Sequence, residues 1–375
     1  MAMTESFEKK LTLDNICLKI APEIQKLKSS GGNIITFLNN QLVGKLSNLS
    51  CFKAISLLEF YNNIPQKKDK DFLNNFPASE LIDRNSGEVF VFSKTKKTNN
   101  ITIYQLYSGE LNSDLTKRVS SKNIFCILSG DQINITERLL FDSPKKFKSR
   151  SLWLIMRNAS LTKHRILKPS FFKKTTLESS ECFLLDDDSQ CNVLSFYLSD
   201  DGKNSSGSVK SATRVDLVGK NCSSEIGGVS FLKGQASVKN DITTKHYNSN
   251  CNSCEIVKGV YDHDSEGEFN SLVIVDRGGV NANTVQKNNN ILLSSQASVN
   301  SNPQLEIFTD DVKCAHGSTT GQLDASAVFY LRSRGLSLSQ ANGLLLRGFL
   351  SEVVELSKGF EVHEELVENL KKLIN

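Results

Sequence analysis

The chain has 375 residues, 39% hydrophobic and 23% charged, which suits a chain with a substantial core and excludes an intrinsically disordered one. Lysine and arginine total 45 against 41 aspartates and glutamates, so the basic field that nucleic-acid binding needs is missing. No apolar run reaches the ~18 residues that span a bilayer, and Met1 to Glu8 lacks the apolar core of a secretory signal.

Residues 1–85 read as a helical N-terminal domain. Leu11, Ile16, Leu18, Ile20 and Ile24 form one amphipathic segment, and Phe52, Ile55, Leu57, Leu58 and Phe60 another. Polar stretches at Ser29 to Asn33 and Gln66 to Asp71 separate them.

Residues 86–315 read differently. Short runs rich in β-branched and aromatic residues follow one another: 88–93, 101–107, 123–129, 151–156, 193–198, 213–218, 228–232, 255–261, 271–276 and 305–309. Turn signals such as Gly130-Asp131, Gly219-Lys220-Asn221 and Gly278-Gly279 punctuate them. A zone of this length without helical periodicity suits a barrel, paired sandwiches or a β-solenoid. No strict repeat period chooses among these.

Residues 316–375 read as a C-terminal helical domain. Asp324 is placed to cap a first helix that stops at Gly335. Ser337 opens a second, with Gln340 completing a capping box. Leu338, Ala341, Leu345, Phe349, Val353 and Leu356 form its expected apolar stripe, ending at Gly359. A last helix covers 364–374.

Catalytic motifs are missing. Gly44-Lys45 and Gly219-Lys220 lack the glycine spacing and hydroxyl of a phosphate loop, and there is no nucleophile elbow or dinucleotide fingerprint. Cys251-Asn252-Ser253-Cys254 is half a zinc knuckle without a second half, and reads better as a turn. Asp262-His263-Asp264 reads as a polar turn. His363-Glu364-Glu365 opens a solvated helix. Nine cysteines, an odd number in a long chain, fit reduced thiols and a cytoplasmic protein.

The most informative run is Asp310-Asp311-Val312-Lys313-Cys314-Ala315-His316-Gly317. If extended, it sets Cys314 and His316 on one strand face, ~7 Å apart at Cα. Thiolate and imidazole are both iron ligands. Lys313 favours the thiolate; Asp310 and Asp311 oppose it. On spacing alone, a buried structural cysteine beside an exposed histidine is the plainer reading.

Longer runs carry a resemblance. Residues 303–324, Phe329-Tyr330-Leu331-Arg332-Ser333-Arg334-Gly335 and Arg347-Gly348-Phe349 resemble the hallmark segments of the SufB/SufD family. Asp216-Leu217-Val218-Gly219, Lys258-Gly259-Val260-Tyr261-Asp262 and 288–294 fit as well. Ser294 to Ser298 lacks the thiol found there in SufB-like chains. His316-Gly317 stands where those chains carry His-Glu. Both features point to the SufD-like branch.

The resemblance implies a mainly β fold, a right-handed parallel β-helix (β-solenoid) flanked by helical domains at both ends. It implies a non-enzymatic scaffold for iron–sulfur cluster assembly, paired with a SufB-like subunit and a SufC-like ABC-type ATPase, or with a second copy of itself. It places transient iron or a nascent Fe–S cluster at His316 and Cys314. It places ATPase contacts on the C-terminal helices, with Arg332, Arg334, Arg347 and Phe349 as candidates. Of these, Phe349 lies on the apolar stripe and reads better as core. Two other readings stay open: a β-solenoid polysaccharide hydrolase or lyase, and a purely structural brace.

Overall fold

The computed structural model describes residues 33–38, 41–47, 52–56, 88–92, 100–107, 123–141, 146–168, 172–173, 175–200, 205–360 and 362–374, with Ile24, Ser29 and Glu59. Nineteen strands lie among them: β1 (Ile34–Leu38), β2 (Gln41–Leu42), β3 (Phe52–Ser56), β4 (Glu88–Phe92), β5 (Asn100–Tyr107), β6 (Asn123–Ile127), β7 (Gln132–Phe141), β8 (Lys146–Ile155), β9 (Ser160–Leu167), β10 (Thr176–Leu185), β11 (Gln190–Leu198), β12 (Ser208–Leu217), β13 (Ser223–Leu232), β14 (Ser237–His246), β15 (Asn252–Tyr261), β16 (Glu266–Val275), β17 (Ala282–Leu292), β18 (Ser298–Ile307) and β19 (Val312–Gly321). Three helices follow: α1 (Ala325–Ser333), α2 (Leu338–Val354) and α3 (Val362–Ile374).

From β6 on, every strand crosses to the opposite sheet and pairs in parallel with the strand two places earlier. Two facing parallel sheets built in this way are a β-solenoid. Side chains in register therefore stack along the axis. Trp153 lies between Phe125 and Phe183, with ring centroids 4.1 and 6.0 Å away.

The turns explain why no strict period is visible. Asp188, Asn221, Asn250 and Asn281 all adopt positive φ, between 57° and 60°, a conformation that Asn and Asp tolerate better than most residues. Each asparagine amide donates to the side-chain oxygen of the turn before it, at 2.9, 3.2 and 3.1 Å. The sequence separations are 33, 29 and 31 residues. The coil is constant in geometry and variable in length. Asn250→Ala should cost about 2 kcal/mol, combining left-handed strain with two lost hydrogen bonds, and Asn250→Gly distinctly less. Urea midpoints of the two variants check the ordering.

The outer face of the odd-strand sheet is covered by helices. Leu346, Leu350 and Val353 of α2 and Leu366 and Leu370 of α3 pack on Leu194, Phe196, Val229, Phe231, Ile256 and Val260. Gly227 leaves room where α2 meets the sheet, since a Cβ there would lie 2.5 Å from Leu194 and 3.3 Å from both Val353 of α2 and Leu356 just beyond it. Ion pairs pin the helices. Lys258 bonds Glu352 at 2.7 Å and the Phe349 carbonyl at 2.7 Å. Arg138 and Lys168 both hold Glu365.

The caps are as expected. Asp324 accepts from the Ser326 N–H, and Ser337 and Gln340 form the capping box. Gly335, at φ 97°, follows the end of α1. The expected stripe of α2 is corrected. Leu338 is 51% exposed, and the buried positions are Ala341, Gly343, Leu346, Leu350, Val353 and Val354. Docking against a curved sheet selected a face rotated from the one the leucine spacing suggested.

The helical reading of 52–60 is also corrected at Phe52–Ser56, which form β3, antiparallel to β4. Phe52 packs on Phe90 and Phe92, 5.9 and 6.4 Å between centroids. This edge pairing, rather than helical periodicity, decides the conformation. Of the first expected amphipathic segment, 11–24, Ile24 alone is described; it is a buried helical residue packed near Ile34, Tyr104 and Leu106. Elsewhere in the expected 1–85 helical domain, Ile34–Leu38 and Gln41–Leu42 form strands β1 and β2 rather than helix; most of the remaining residues lie outside the described ones. No helix among the described residues is long and apolar enough to cross a membrane.

Candidate functional site at the end of the solenoid

The two ends of the solenoid differ. At the first end, the outermost described strands β2 and β3 run antiparallel to their neighbours. At the last, β18 and β19 are the outermost strands of their sheets and run parallel to β16 and β17. Nothing among the described residues pairs with their outer edges. Alternate residues of each ten-residue strand therefore present backbone donors and acceptors to an incoming strand. Beside them, Phe308 is 58% exposed.

Cys314 and His316 lie on β19, in the extended conformation under which the two share a strand face. Alternation puts both on the face turned into the solenoid, at its open mouth. Cys314 is half-buried and packs with Val273, Val275, Ala282, Leu305 and Val312. His316 is exposed. Burial raises the Cys314 thiol above the ordinary cysteine value. Burial outweighs the opposed influences of Lys313 and of Asp310 and Asp311, and the Lys313 side chain sits at the alternate, exposed position of the strand. Binding of a metal must displace the thiol proton.

In register beneath Cys314 is Thr284, and beneath His316 is Gln286. A polar stack continues downward through Glu255. Thr244 donates to the Glu255 carboxylate at 2.7 Å, and Ser271 donates to its other oxygen. Burial raises the Glu255 carboxyl, against these hydrogen bonds. Beyond it, Ile226 and Val193 close the column. They separate it from a second buried polar group, the Glu137–Lys163–Arg165–Glu181 cluster.

No group of three or more His, Cys, Asp or Glu side chains able to hold a metal ion occurs among the described residues. Cys314 and His316 supply two donors, half of a tetrahedral set. Cys251 and Cys254 do not converge: Cys251 is buried within the turn stack, while Cys254 is on the helix-facing side of β15. Asp262-His263-Asp264 is a turn with His263 at φ 57°.

The candidate docking residues divide. Arg332 and Arg334 are exposed, and the Arg334 guanidinium lies 5.4 Å from the centre of the Tyr330 ring. Arg347 and Phe349 are half-buried on α2, and the Phe349 ring lies under the Lys258 ammonium. Phe349 is thus part of the helix–sheet seam. Sequence reasoning passed over Phe329, 75% exposed, and Tyr330 as surface residues. α1 has no buried residue at all. The signal was available as a short helix whose apolar residues form no stripe.

Two parallel sheets wound into one column, open at one end and braced by helices, define a β-solenoid protein with a bare terminal coil. Residues 201–349 match the family described as "SUF system FeS cluster assembly, SufBD core domain". That stretch includes β12 to β19, Gln286, Cys314, His316 and all four candidate docking residues. Over 148 residues the chain is 33% identical to the iron-sulfur cluster assembly protein SufD of Escherichia coli, covering 38% of this chain and 34% of that protein. Over 101 residues it is 41% identical to an iron-sulfur cluster assembly SufBD family protein of Synechocystis, covering 27% and 22%. Over 331 residues it is 24% identical to Protein ABCI7, chloroplastic, of Arabidopsis thaliana, covering 84% and 68%. The chain thus spans about a third of the Escherichia coli relative. Residues 201–349 thus resemble the core domain of the SufB/SufD family of Fe–S assembly proteins.

Proposed function

We propose that this chain is a non-enzymatic, cytoplasmic scaffold subunit of a SUF iron–sulfur cluster assembly complex. It acts with a SufB-like subunit and a SufC-like ATPase. One observation carries the reading: an incomplete donor pair, Cys314 and His316, sits at the mouth of a solenoid whose last two strands have bare outer edges. A partner strand laid against β18 or β19 brings its own thiolates to the same place. Iron and sulfide, the cargo, are then held between chains rather than within one. The same edges suit a second copy of this chain. In this reading the solenoid is right-handed, the hand that parallel crossovers adopt.

The C-terminal helices form the ATPase docking region, with Phe329, Tyr330, Arg332 and Arg334 outermost. Arg347 and Phe349 support them from the sheet side. A polysaccharide hydrolase reading lacks support at the most concentrated pair of carboxylates in the column, because Glu137 and Glu181 are sealed inside in ion pairs.

The test is anaerobic reconstitution with SufB-like and SufC-like partners, iron and a sulfide donor. His316→Ala should lower the rate of cluster formation about tenfold or more while the subunits still copurify. An undiminished rate in the intact complex would remove His316 from the site and leave only a bracing role.

A further inference from the structure

Gln286 is the feature of the polar stack that folding alone does not explain. It is almost completely buried, at 1% exposure. Its Nε2 donates to the Ser271 hydroxyl at 2.6 Å and reaches Glu255 Oε2 at 3.5 Å. These contacts fix the amide, because a carboxylate oxygen accepts only from the nitrogen side. Its Oε1 is left buried without a hydrogen-bond partner. A buried carbonyl in that state is costly unless another molecule or a rearranged neighbour completes it. The residue directly above, in register, is His316. The opposite wall repeats the layering, with Ser271 in register beneath Pro303.

We infer that Gln286 is the positioning residue of His316: its Oε1 accepts the N–H of one imidazole nitrogen and so presents the other nitrogen outward as an iron ligand. Histidines that bind metal commonly donate their second nitrogen to such an acceptor, which fixes tautomer and ring orientation. Thr244, Ser271 and Glu255 hold the amide from below, so the acceptor is pre-set by three elements of the solenoid. Thr284 under Cys314 belongs to a separate chain, from His246 through Ser253. The inference rests on the proposed role of His316 for its consequence, though not for its geometry.

The test uses the full chain labelled with nitrogen-15 histidine, held at about pH 8.5, two units above the ordinary imidazole value. Long-range proton–nitrogen spectra show which ring nitrogen carries the proton, and His316→Ala identifies the signal. The wild-type chain should show a single tautomer at His316. Gln286→Leu, and the shorter Gln286→Asn, should release it to the mixed tautomers of a free imidazole. Gln286→Glu, which keeps an acceptor at full reach, should preserve one tautomer. Thr284→Val should leave the signal unchanged. Gln286→Asn keeps the site polar and so provides a folded chain should Gln286→Leu fail to fold.

An unchanged His316 tautomer in a folded Gln286→Leu or Gln286→Asn chain overturns the inference. In the reconstituted complex, Gln286→Leu or Gln286→Asn should slow cluster formation about ten- to a hundredfold. A released tautomer with an undiminished rate keeps the contact and overturns the role of His316 instead.

Discussion

Lys163→Met should destabilise the chain by about 3–5 kcal/mol, the cost of stranding buried charge. Lys163 is 1% exposed and lies 2.7 Å from Glu137 Oε2 and 2.8 Å from Glu181 Oε1. Arg165 bridges the same two carboxylates, at 2.7 and 2.8 Å. Ser151 and Trp153 add donors to Glu181, and Ser179 accepts from Arg165. Two cations and two anions therefore balance inside the solenoid. Burial alone would raise the Glu137 carboxyl, but the Arg165 and Lys163 charges and hydrogen bonds outweigh it and bring it down to about 2.

Removing the ammonium leaves two carboxylates to share one guanidinium. Adding Glu137→Gln to Lys163→Met should recover part of the loss, because it restores the balance of charge. Urea denaturation of the two single variants and the double variant measures that coupling. Strict additivity of the two effects would show that the four groups do not act as one network.

Between pH 7 and pH 5, two buried histidines should remove about 4 kcal/mol of stability. Burial lowers the imidazoles of His164 and His246 from 6.5 to about 4. The unfolded chain takes up these protons as pH falls through 6.5, while the folded chain refuses them until about 4. Stability from each group is therefore complete above pH 6.5 and is lost toward pH 4, by about 2 kcal/mol each at pH 5. Glu255 works in the opposite sense, since burial raises its carboxyl and folding then favours its protonated form.

The clean quantity is the difference between the wild-type chain and His164→Phe/His246→Gln. His164 already packs against Phe360, 4.5 Å between centroids with the rings tilted by 52°, so phenylalanine suits its surroundings. Denaturation at pH 7 and pH 5 should show a smaller pH effect in the variant by about 4 kcal/mol. An equal loss in both would assign the acid sensitivity to other groups. Below about pH 4.5 the depressed Glu137 takes over, losing its contribution toward pH 2.

Several of the strands legible in the sequence are buried on both faces. Val193–Leu198, Gly228–Leu232 and Glu255–Tyr261 read as apolar runs because α2 and α3 cover their outer side. Among the strands missed are β7, β9, β10, β14 and β17, and in β7, β14 and β17 the reason is visible. Their outer faces meet solvent, and their inner faces carry Glu137, Thr244, Thr284, Gln286 and Asn288. Alternation of apolar and polar residues fails as a signal when the interior itself is polar. The helix caps were legible because a cap is a local bargain between a side chain and nearby N–H groups. The buried face of α2 was not, because it depends on the surface it meets.

The chain's own order of residues determined the β-rich centre, the helical end, the cap positions and the adjacency of Cys314 and His316 on one strand face. These follow from contacts within a few residues. Tertiary structure alone decided that this face opens at the mouth of a column, that Gln286 lies under His316, and that four charges from three strands share one interior cavity. Coils about 30 residues apart in sequence come within one strand spacing of each other only after winding, and no local pattern encodes that stacking.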